Sequence, residues 1–130
     1  MSDIATYLSE VELALVSSLI IAEYRIVRSW ANTDDGYIRV RATLTNGDFL
    51  EAAEYFALDQ GQITTIDYRY QWMDGDKELL RRRWDSTPDH PELEGFPYHV
   101  HTGGEESVAP SHSMSLVALL NTLEEEFEKP

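Results

Sequence analysis

Residues 37–58 read YIRVRATLTNGDFLEAAEYFAL. Apolar and polar side chains alternate over residues 37–45, which is the period of a strand with one buried face. Asn46-Gly47 then separates this run from a second extended run at residues 49–58, and the dipeptide favours the tight turn of a β-hairpin. The stretch predicts two antiparallel strands, from which the rest of the fold can be worked out in both directions.

Further extended runs lie on both sides of this hairpin. Each is rich in β-branched and aromatic residues and is bounded by a turn signal: residues 19–30 before the turn at 32–36, residues 63–73 after the turn at 59–61, and residues 79–84 after the turn at 74–76. Apolar side chains at helical spacing predict helices over residues 3–17 and 113–128. Short turns between successive strands indicate antiparallel pairing. We therefore predict an α+β fold, a single antiparallel five-stranded meander with the N- and C-terminal helices packed on one face.

The chain has 130 residues, which predicts a single domain spanning residues 1–130. It has no cysteine, which excludes a disulfide framework, a thiolate metal site and a cysteine nucleophile. No apolar run approaches the roughly 18 residues that span a bilayer, and the N-terminus does not have the basic region of a secretory signal. We therefore expect a cytoplasmic protein with no membrane partner.

The formal net charge is −14, with 24 acidic and 10 basic residues. A charge of this size keeps a protein soluble and opposes non-specific contact with nucleic acid. Two of the basic residues are lysines, Lys77 and Lys129, and the arginines all lie between Arg25 and Arg83. The acid excess fits either a salt-rich cytoplasm or a basic partner protein, and both explanations stay open.

Three aromatic residues alternate along the fourth predicted strand: Tyr68, Tyr70 and Trp72. Such a stripe could stack the bases of a single-stranded nucleic acid. It is more often the sheet face that the helices cover. We therefore expect these side chains to belong to the core.

Arginine, aspartate and histidine are concentrated in residues 81–101. Arg81, Arg82 and Arg83 end the fifth predicted strand, and the irregular segment that follows, about residues 86–112, contains several prolines and glycines. A loop of this length in a compact domain is usually functional or disordered. We expect it to fold back on the end of the fifth strand and to bring its histidines there.

The residues of this segment allow three chemistries. Arg81, Arg82 and Arg83 could bind a phosphate or a carboxylate, although arginines on a strand more often face solvent or protect a sheet edge. The remaining candidates are acid–base groups around a phosphodiester or ligands of a divalent transition metal. These candidates are Asp85, His90, His99 and His101, and the simplest alternative is that the histidines are exposed loop residues without a role.

Five pieces of the chain form a recognisable set: Tyr-x-Tyr-x-Trp at 68–72, Arg-Arg-Trp-Asp-Ser at 82–86, His-Pro-Glu-Leu at 90–93, Phe-Pro-Tyr-His-Val-His at 96–101 and the entry into the last helix at 110–120. Together they resemble the TumE family of small proteins, the toxin half of type II toxin–antitoxin modules. The resemblance covers about residues 62–125 and implies that the functional set is Arg83, Asp85, His90, His99 and His101. The chain departs from the family pattern at Asp89 and Tyr98, where the family often has histidine.

The resemblance implies a toxin-like component of a toxin–antitoxin system. We predict a ribonuclease in which His99 or His101 is the general acid or base, His90 and Asp85 assist, and Arg81, Arg82 and Arg83 bind phosphate. Its expected partners are a cognate antitoxin-like protein and RNA, and a homodimer is compatible with the sequence. Two alternatives stay open: a non-catalytic protein-interaction module, and a small protein that binds a divalent metal through His90, His99 and His101. The expected cofactor is none, or that metal.

Overall fold

The structure is a computed structural model that describes residues 3–129. Its elements are α1 (Ile4–Ser17), β1 (Ile21–Ala31), β2 (Asp35–Leu44), β3 (Phe49–Asp59), β4 (Gln62–Met73), β5 (Leu80–Asp85), β6 (His99–Thr102), β7 (Val108–Pro110) and α2 (Leu116–Glu128). The strands form one sheet in the order of the chain, and each pairs antiparallel with the next. The predicted α+β class, antiparallel sheet and two helices are therefore confirmed.

The predicted number of five strands is wrong, because two further strands extend the sheet beyond β5. β6 and β7 are only four and three residues long, so neither produces a clear alternating pattern in the sequence. Pro110 is tolerated in β7 because β7 is an edge strand, where no partner requires its missing N–H. The predicted loop at 86–112 is thus interrupted by strands and is irregular at residues 86–98, 103–107 and 111–115.

β2 and β3 form the predicted hairpin, which closes through a three-residue loop at residues 45–47, where the Leu44 N–H donates to the backbone oxygen of Asp48 (2.8 Å). Val40 lies opposite Ala52, and Ala42 lies opposite Leu50. Gly47 in the connecting turn has a φ of 91°, in the left-handed region that favours glycine. The Asn46-Gly47 signal is therefore confirmed.

Both helices pack on one face of the sheet, which we call the covered face. The Asp3 carboxylate caps α1 by accepting from the backbone N–H of Thr6 (2.7 Å), and the Ser115 hydroxyl caps α2 by accepting from the N–H of Ala118. The buried side chains of the covered face and the helices include Ile4, Val11, Leu15, Ile38, Val40, Leu50, Phe56, Leu116, Leu119 and Leu123. These apolar groups form one continuous core.

Tyr68 and Tyr70 also belong to the covered face. Their rings stack at 5.0 Å, and their hydroxyls donate to the backbone oxygens of His112 and Met114, in the segment that leads into α2. Both residues are buried. The prediction that this aromatic stripe is core is confirmed for these two residues.

The opposite face of the sheet, which we call the open face, has no helix on it among residues 3–129. It carries the residues that alternate with the buried ones, such as Tyr37, Arg39 and Arg41 on β2. Neither helix of the described residues is long and apolar enough to cross a membrane.

Candidate functional site

Four polar side chains lie together on the open face, where β5 pairs with β6. The register places Asp85 opposite His99 and Arg83 opposite His101. All four residues are buried, with exposures between 1% and 8%. The fold therefore brings Asp85 next to histidines that lie 14 and 16 positions later in the chain (99 − 85 and 101 − 85).

The irregular segment 86–98 adds a third histidine to this site. The ring centroid of His90 lies 5.0 Å from that of His99 and 5.7 Å from that of His101, and the latter two rings are 4.9 Å apart. One ring nitrogen from each of the three lies within 4.8 Å of the other two. We call His90, His99 and His101 the histidine cluster.

The two buried histidines are held in place by backbone oxygens. His99 Nδ1 lies 2.9 Å from the carbonyl oxygen of Pro97, and His101 Nδ1 lies 2.9 Å from that of Glu105. A carbonyl oxygen only accepts hydrogen bonds, so each Nδ1 carries the hydrogen. In the neutral ring, Nε2 then keeps a free lone pair.

His90 has the same arrangement nearer the surface. Its Nδ1 lies 3.3 Å from Oε1 of Glu92, and a carboxylate also only accepts. The side chain of His90 is 27% exposed. It is therefore the member of the cluster through which the site reaches solvent.

The contact between His99 and Asp85 is close but is not a hydrogen bond. His99 Nε2 lies 2.9 Å from Oδ1 of Asp85, yet this nitrogen has no hydrogen-bond partner among residues 3–129. The carboxylate is held by other donors, since Oδ2 accepts from Arg83 Nε at 3.1 Å and Oδ1 accepts from the N–H of Thr87 at 3.0 Å. Nε2 of His99 and Oδ1 of Asp85 thus lie within ion-pair distance in a buried position, without hydrogen-bond geometry between them.

Arg83 completes the site on its outer side. Its guanidinium binds both carboxylate oxygens of Glu105, in the β6–β7 turn, in addition to Asp85. The hydrogen bond with Glu105 is the largest cause that raises the pKa of Arg83, and it lowers the pKa of Glu105. Burial, followed by the positive charge of Arg83, lowers the pKa of His101 and keeps that ring neutral near pH 7.

The other two arginines of the predicted set lie elsewhere. Arg81 pairs with Asp48 of the β2–β3 turn at 2.8 Å. Arg82 pairs with Glu126 of α2 at 2.7 Å. The expected common anion site of Arg81, Arg82 and Arg83 is thus not formed, because each guanidinium has its own carboxylate partner in a different part of the fold.

Asp48 and Glu105, like Glu126, were not predicted from the sequence as partners of these arginines. Asp48 is 33 positions from Arg81, and Glu105 is 22 positions from Arg83. Asp48 is buried and also accepts from Trp72 Nε1 at 2.9 Å. The only signal for either was an acidic residue in a predicted turn or loop.

Six arginines lie on the open face, in two rows that run across the strands. The register aligns Arg25, Arg41, Glu51, Gln71, Arg83 and His101 in one row, and Arg28, Arg39, Ala53, Arg69, Asp85 and His99 in the other. We call these the arginine rows. Each row ends at a buried histidine of the cluster.

Like charges face each other where the arginine rows begin. Arg25 lies directly opposite Arg41, and Arg28 lies opposite Arg39. Glu51 neutralises part of this charge through Arg39 and Arg41, whereas Arg25, Arg28 and Arg69 are exposed and make no ion pair within residues 3–129. Like charges directly opposite destabilise a sheet, so the arginine rows reduce the stability of the fold and favour an anion on this face.

A family model matches the part of the chain that contains the arginine rows and the histidine cluster. The family model described as Toxin TumE matches residues 10–129, which is nearly the whole chain. The chain belongs to the TumE family. The match extends the resemblance seen at residues 62–125 to β1, β2 and β3, and so includes both the arginine rows and the histidine cluster within the TumE fold. The family's name suggests a toxin-like role. No curated protein and no solved structure matches the chain.

Proposed function

We propose that this chain is the toxin of a toxin–antitoxin pair and that it cleaves RNA at the histidine cluster. One observation carries the proposal: three imidazoles, two of them buried, lie with a buried carboxylate at the end of two arginine rows. Buried titratable groups with perturbed pKa values concentrate at functional sites. Membership of the TumE family supports the toxin role.

The arginine rows support a polyanionic substrate. Five steps between neighbouring strands separate Arg28 on β1 from His99 on β6, and at about 4.8 Å a step the row is about 24 Å long. A row of this length can contact several consecutive phosphates. The remaining surface of a chain with a net charge of −14 repels RNA, so productive contact is confined to the open face.

An aromatic patch on the open face supports a single strand rather than a duplex. The Trp30 ring lies 6.0 Å from that of Tyr37 and 6.2 Å from that of Tyr55. Unpaired bases can stack on aromatic rings of this kind, whereas the bases of a duplex are already stacked on one another. We therefore propose single-stranded RNA, with its phosphates on the arginine rows and its bases near the patch.

The burial of the site supports different roles for its side chains in this proposal. His99 and His101 are 1% and 2% exposed, so they act from inside the protein rather than by direct contact with a polymer. Asp85 and Arg83 position them. This revises the expectation that His99 or His101 exchanges a proton directly with RNA, and it leaves His90 as the histidine that the substrate approaches.

A cognate antitoxin-like protein is the proposed regulator, acting in the cytoplasm where RNA is available. The acidic surface would speed the association of a basic partner and exclude acidic ones. If this basic partner also placed an acidic segment on the arginine rows, it would block RNA at the same time. A homodimer remains a prediction that none of the contacts within residues 3–129 addresses.

Two assays test the function. Induced expression of the chain in a bacterial host should arrest growth, and the purified protein should cleave labelled single-stranded RNA. His90→Ala should abolish both, whereas His112→Ala, which alters an exposed histidine outside the cluster, should retain both. Growth arrest by His90→Ala and by a His99→Ala, His101→Ala double variant, with no RNA cleavage by the unaltered chain, would instead establish the non-catalytic interaction module.

The arginine rows have their own test. Arg69→Glu should weaken RNA binding and reduce the slope of log K against log salt concentration by about 0.7, the value for one phosphate contact on a single strand. Lys129→Glu makes the same change of charge on a residue of the α2 end and should leave the slope unaltered. Equal effects of the two variants would show that only net charge matters, and would remove the open face from RNA binding.

A further inference from the structure

We infer that His90, His99 and His101 bind one divalent transition-metal ion through their Nε2 atoms, with the Asp85 carboxylate as an oxygen ligand. The three residues already have ring nitrogens within 4.8 Å of one another. The part of this ion in RNA cleavage rests on the proposed function. Its binding does not, and can be measured separately.

The orientation of the imidazoles is that of metal ligands. In protein metal sites, a ligating histidine commonly donates its other ring N–H to a carbonyl or carboxylate oxygen, which fixes the tautomer. All three rings have this arrangement, with Nδ1 directed at Pro97 O, Glu105 O and Glu92 Oε1. Because Nδ1 of each of the three rings faces an oxygen, the Nε2 atoms are the ring nitrogens that remain to bind a metal ion.

The contact between His99 and Asp85 supplies a buried nitrogen and a carboxylate oxygen in one place. His99 Nε2 lies 2.9 Å from Oδ1 of Asp85 and makes no hydrogen bond within residues 3–129. A buried polar atom without a hydrogen-bond partner is unfavourable. A metal ion bound to both atoms would satisfy them together.

The three ring nitrogens need to move only slightly closer together to bind one ion. Tetrahedral coordination with metal–nitrogen distances of about 2.0–2.1 Å places the nitrogens about 3.4 Å apart. The side chain of His90 is partly exposed and belongs to the irregular segment 86–98, so it can move towards the two buried rings while β6 stays in place. His99 and His101 remain fixed by β6 and by their Nδ1 partners.

The donor set selects the class of metal. Three imidazole nitrogens with one carboxylate oxygen suit zinc and its first-row neighbours, whereas Mg²⁺ and Ca²⁺ prefer oxygen ligands. A metal of this kind lowers the pKa of a water that binds in a fifth position, beside the four protein ligands. The resulting hydroxide can form a bond to phosphorus as the bond from phosphorus to the leaving ribose oxygen breaks, and the leaving oxygen takes up the proton that the water lost.

Calorimetry on the full-length protein tests the binding. After treatment with a chelator and desalting, titration with ZnCl₂ should show one site per chain, and MgCl₂ should give no comparable signal. His90→Ala should weaken Zn²⁺ binding at least about 100-fold, since loss of a ligand exceeds the 10- to 100-fold effect of a lost outer partner. His90 is the variant of choice because its side chain is partly exposed and the fold does not depend on it for burial.

His112→Ala is the matched control, because it removes the one remaining histidine of the chain from outside the cluster. It should bind Zn²⁺ as the unaltered chain does. Co²⁺ should give the visible absorption of a tetrahedral site in the unaltered chain and in His112→Ala, and not in His90→Ala. Equal Zn²⁺ affinity of His90→Ala and the unaltered chain would overturn the site, as would an absence of Zn²⁺ binding while RNA cleavage persists. Zn²⁺ binding without RNA cleavage would overturn the proposed function alone.

Discussion

Each face of the sheet buries a carboxylate, but the side chains that surround the two carboxylates differ in charge. The covered face contains Glu54, which is fully buried and is held by two neutral hydroxyls, those of Tyr7 (2.8 Å) and Thr65 (2.6 Å). The open face contains Asp85, which is equally enclosed but lies between a guanidinium and an imidazole. The same chemical group is therefore surrounded by neutral partners on one face and by cationic or cation-binding partners on the other.

This difference separates the part of the molecule that stabilises the fold from the part that can do chemistry. On the covered face, burial raises the pKa of Glu54, so the group tends to take up a proton and become an ordinary polar core residue. On the open face, Arg83 pairs with Asp85, and the ring nitrogens of three histidines lie close together beside them. Substitutions on the two faces should consequently have effects of different kinds.

The largest expected effect is on the covered face. Phe56→Ala should lower the free energy of unfolding by about 3–5 kcal/mol, because it removes a fully buried ring that packs 4.6 Å from the ring of Tyr7. Urea denaturation measures the change. Leu58→Ala, at a 36% exposed position two residues further along β3, should cost less than about 1.5 kcal/mol. Zinc affinity measured on folded Phe56→Ala protein should be unchanged, and a loss there would show that the two faces are not separable.

Replacing the buried carboxylate of the open face should lower the free energy of unfolding nearly as much as Phe56→Ala does. Asp85→Asn should destabilise the metal-free protein by about 3 kcal/mol, because it leaves the 10% exposed side chain of Arg83 without its buried partner. Urea denaturation in the presence of a chelator measures this. Unlike Phe56→Ala, the same substitution should also weaken zinc binding in the folded protein. Retention of full zinc affinity would remove Asp85 from the metal site.

Much of the covered face could be predicted from the sequence. The alternation around Ile38 and Val40, together with the turn signal at Asn46-Gly47, predicted the hairpin of β2 and β3 because side-chain period and turn composition are local properties. The sequence indicated β6 only as a short extended piece at residues 98–101 of the predicted loop and did not indicate β7, because strands of four and three residues are too short to establish a period. They exist because β5 offers an edge on which His99–Thr102 can pair.

The site was predictable in its residues but not in its connections. The sequence predicts a site from residues that are close along the chain, and the structure brings these residues together: Asp85, His90, His99 and His101. The pairing of Arg81 with Asp48 and of Arg82 with Glu126 depends on distances across the fold. No local sequence pattern indicates contacts between distant parts of the chain. The three adjacent arginines were therefore predicted to form one anion site.

A smaller effect, which depends on pH, distinguishes the buried carboxylate of the covered face. Because the pKa of Glu54 is raised in the folded state above its ordinary value of 4.5, the folded protein holds this proton more tightly than the unfolded chain does. The associated stability is present below pH 4.5 and is lost as the pH rises through the folded pKa, by about 1.4 kcal/mol for each unit of elevation.

Glu54→Gln tests this dependence by removing the titration while keeping an oxygen that accepts from Tyr7 and Thr65. The difference in the free energy of unfolding between this variant and the unaltered chain should grow in favour of the variant from pH 4.5 towards pH 7. The pH-dependent contributions of all other groups cancel in that difference. A difference that stays constant with pH would show that Glu54 does not retain its proton on folding.

The smallest effect is expected at the rim of the open face. Glu105→Gln removes one partner of Arg83, but the Glu105 side chain is 67% exposed, so the cost should be at most about 1 kcal/mol and should shrink in high salt. Chemical denaturation at two salt concentrations measures it. A cost equal to that of Asp85→Asn would mean that both partners of Arg83 are equally important, contrary to their difference in burial.

X-ray diffraction from crystals grown with ZnCl₂, with data recorded on both sides of the zinc absorption edge, tests the histidine cluster most directly. The anomalous difference map should contain one strong peak per chain, within about 2.0–2.1 Å of a ring nitrogen of each of His90, His99 and His101, with Asp85 beside it. Zinc found only on surface carboxylates, with the three rings unmoved and no peak between them, would contradict a metal centre at this site.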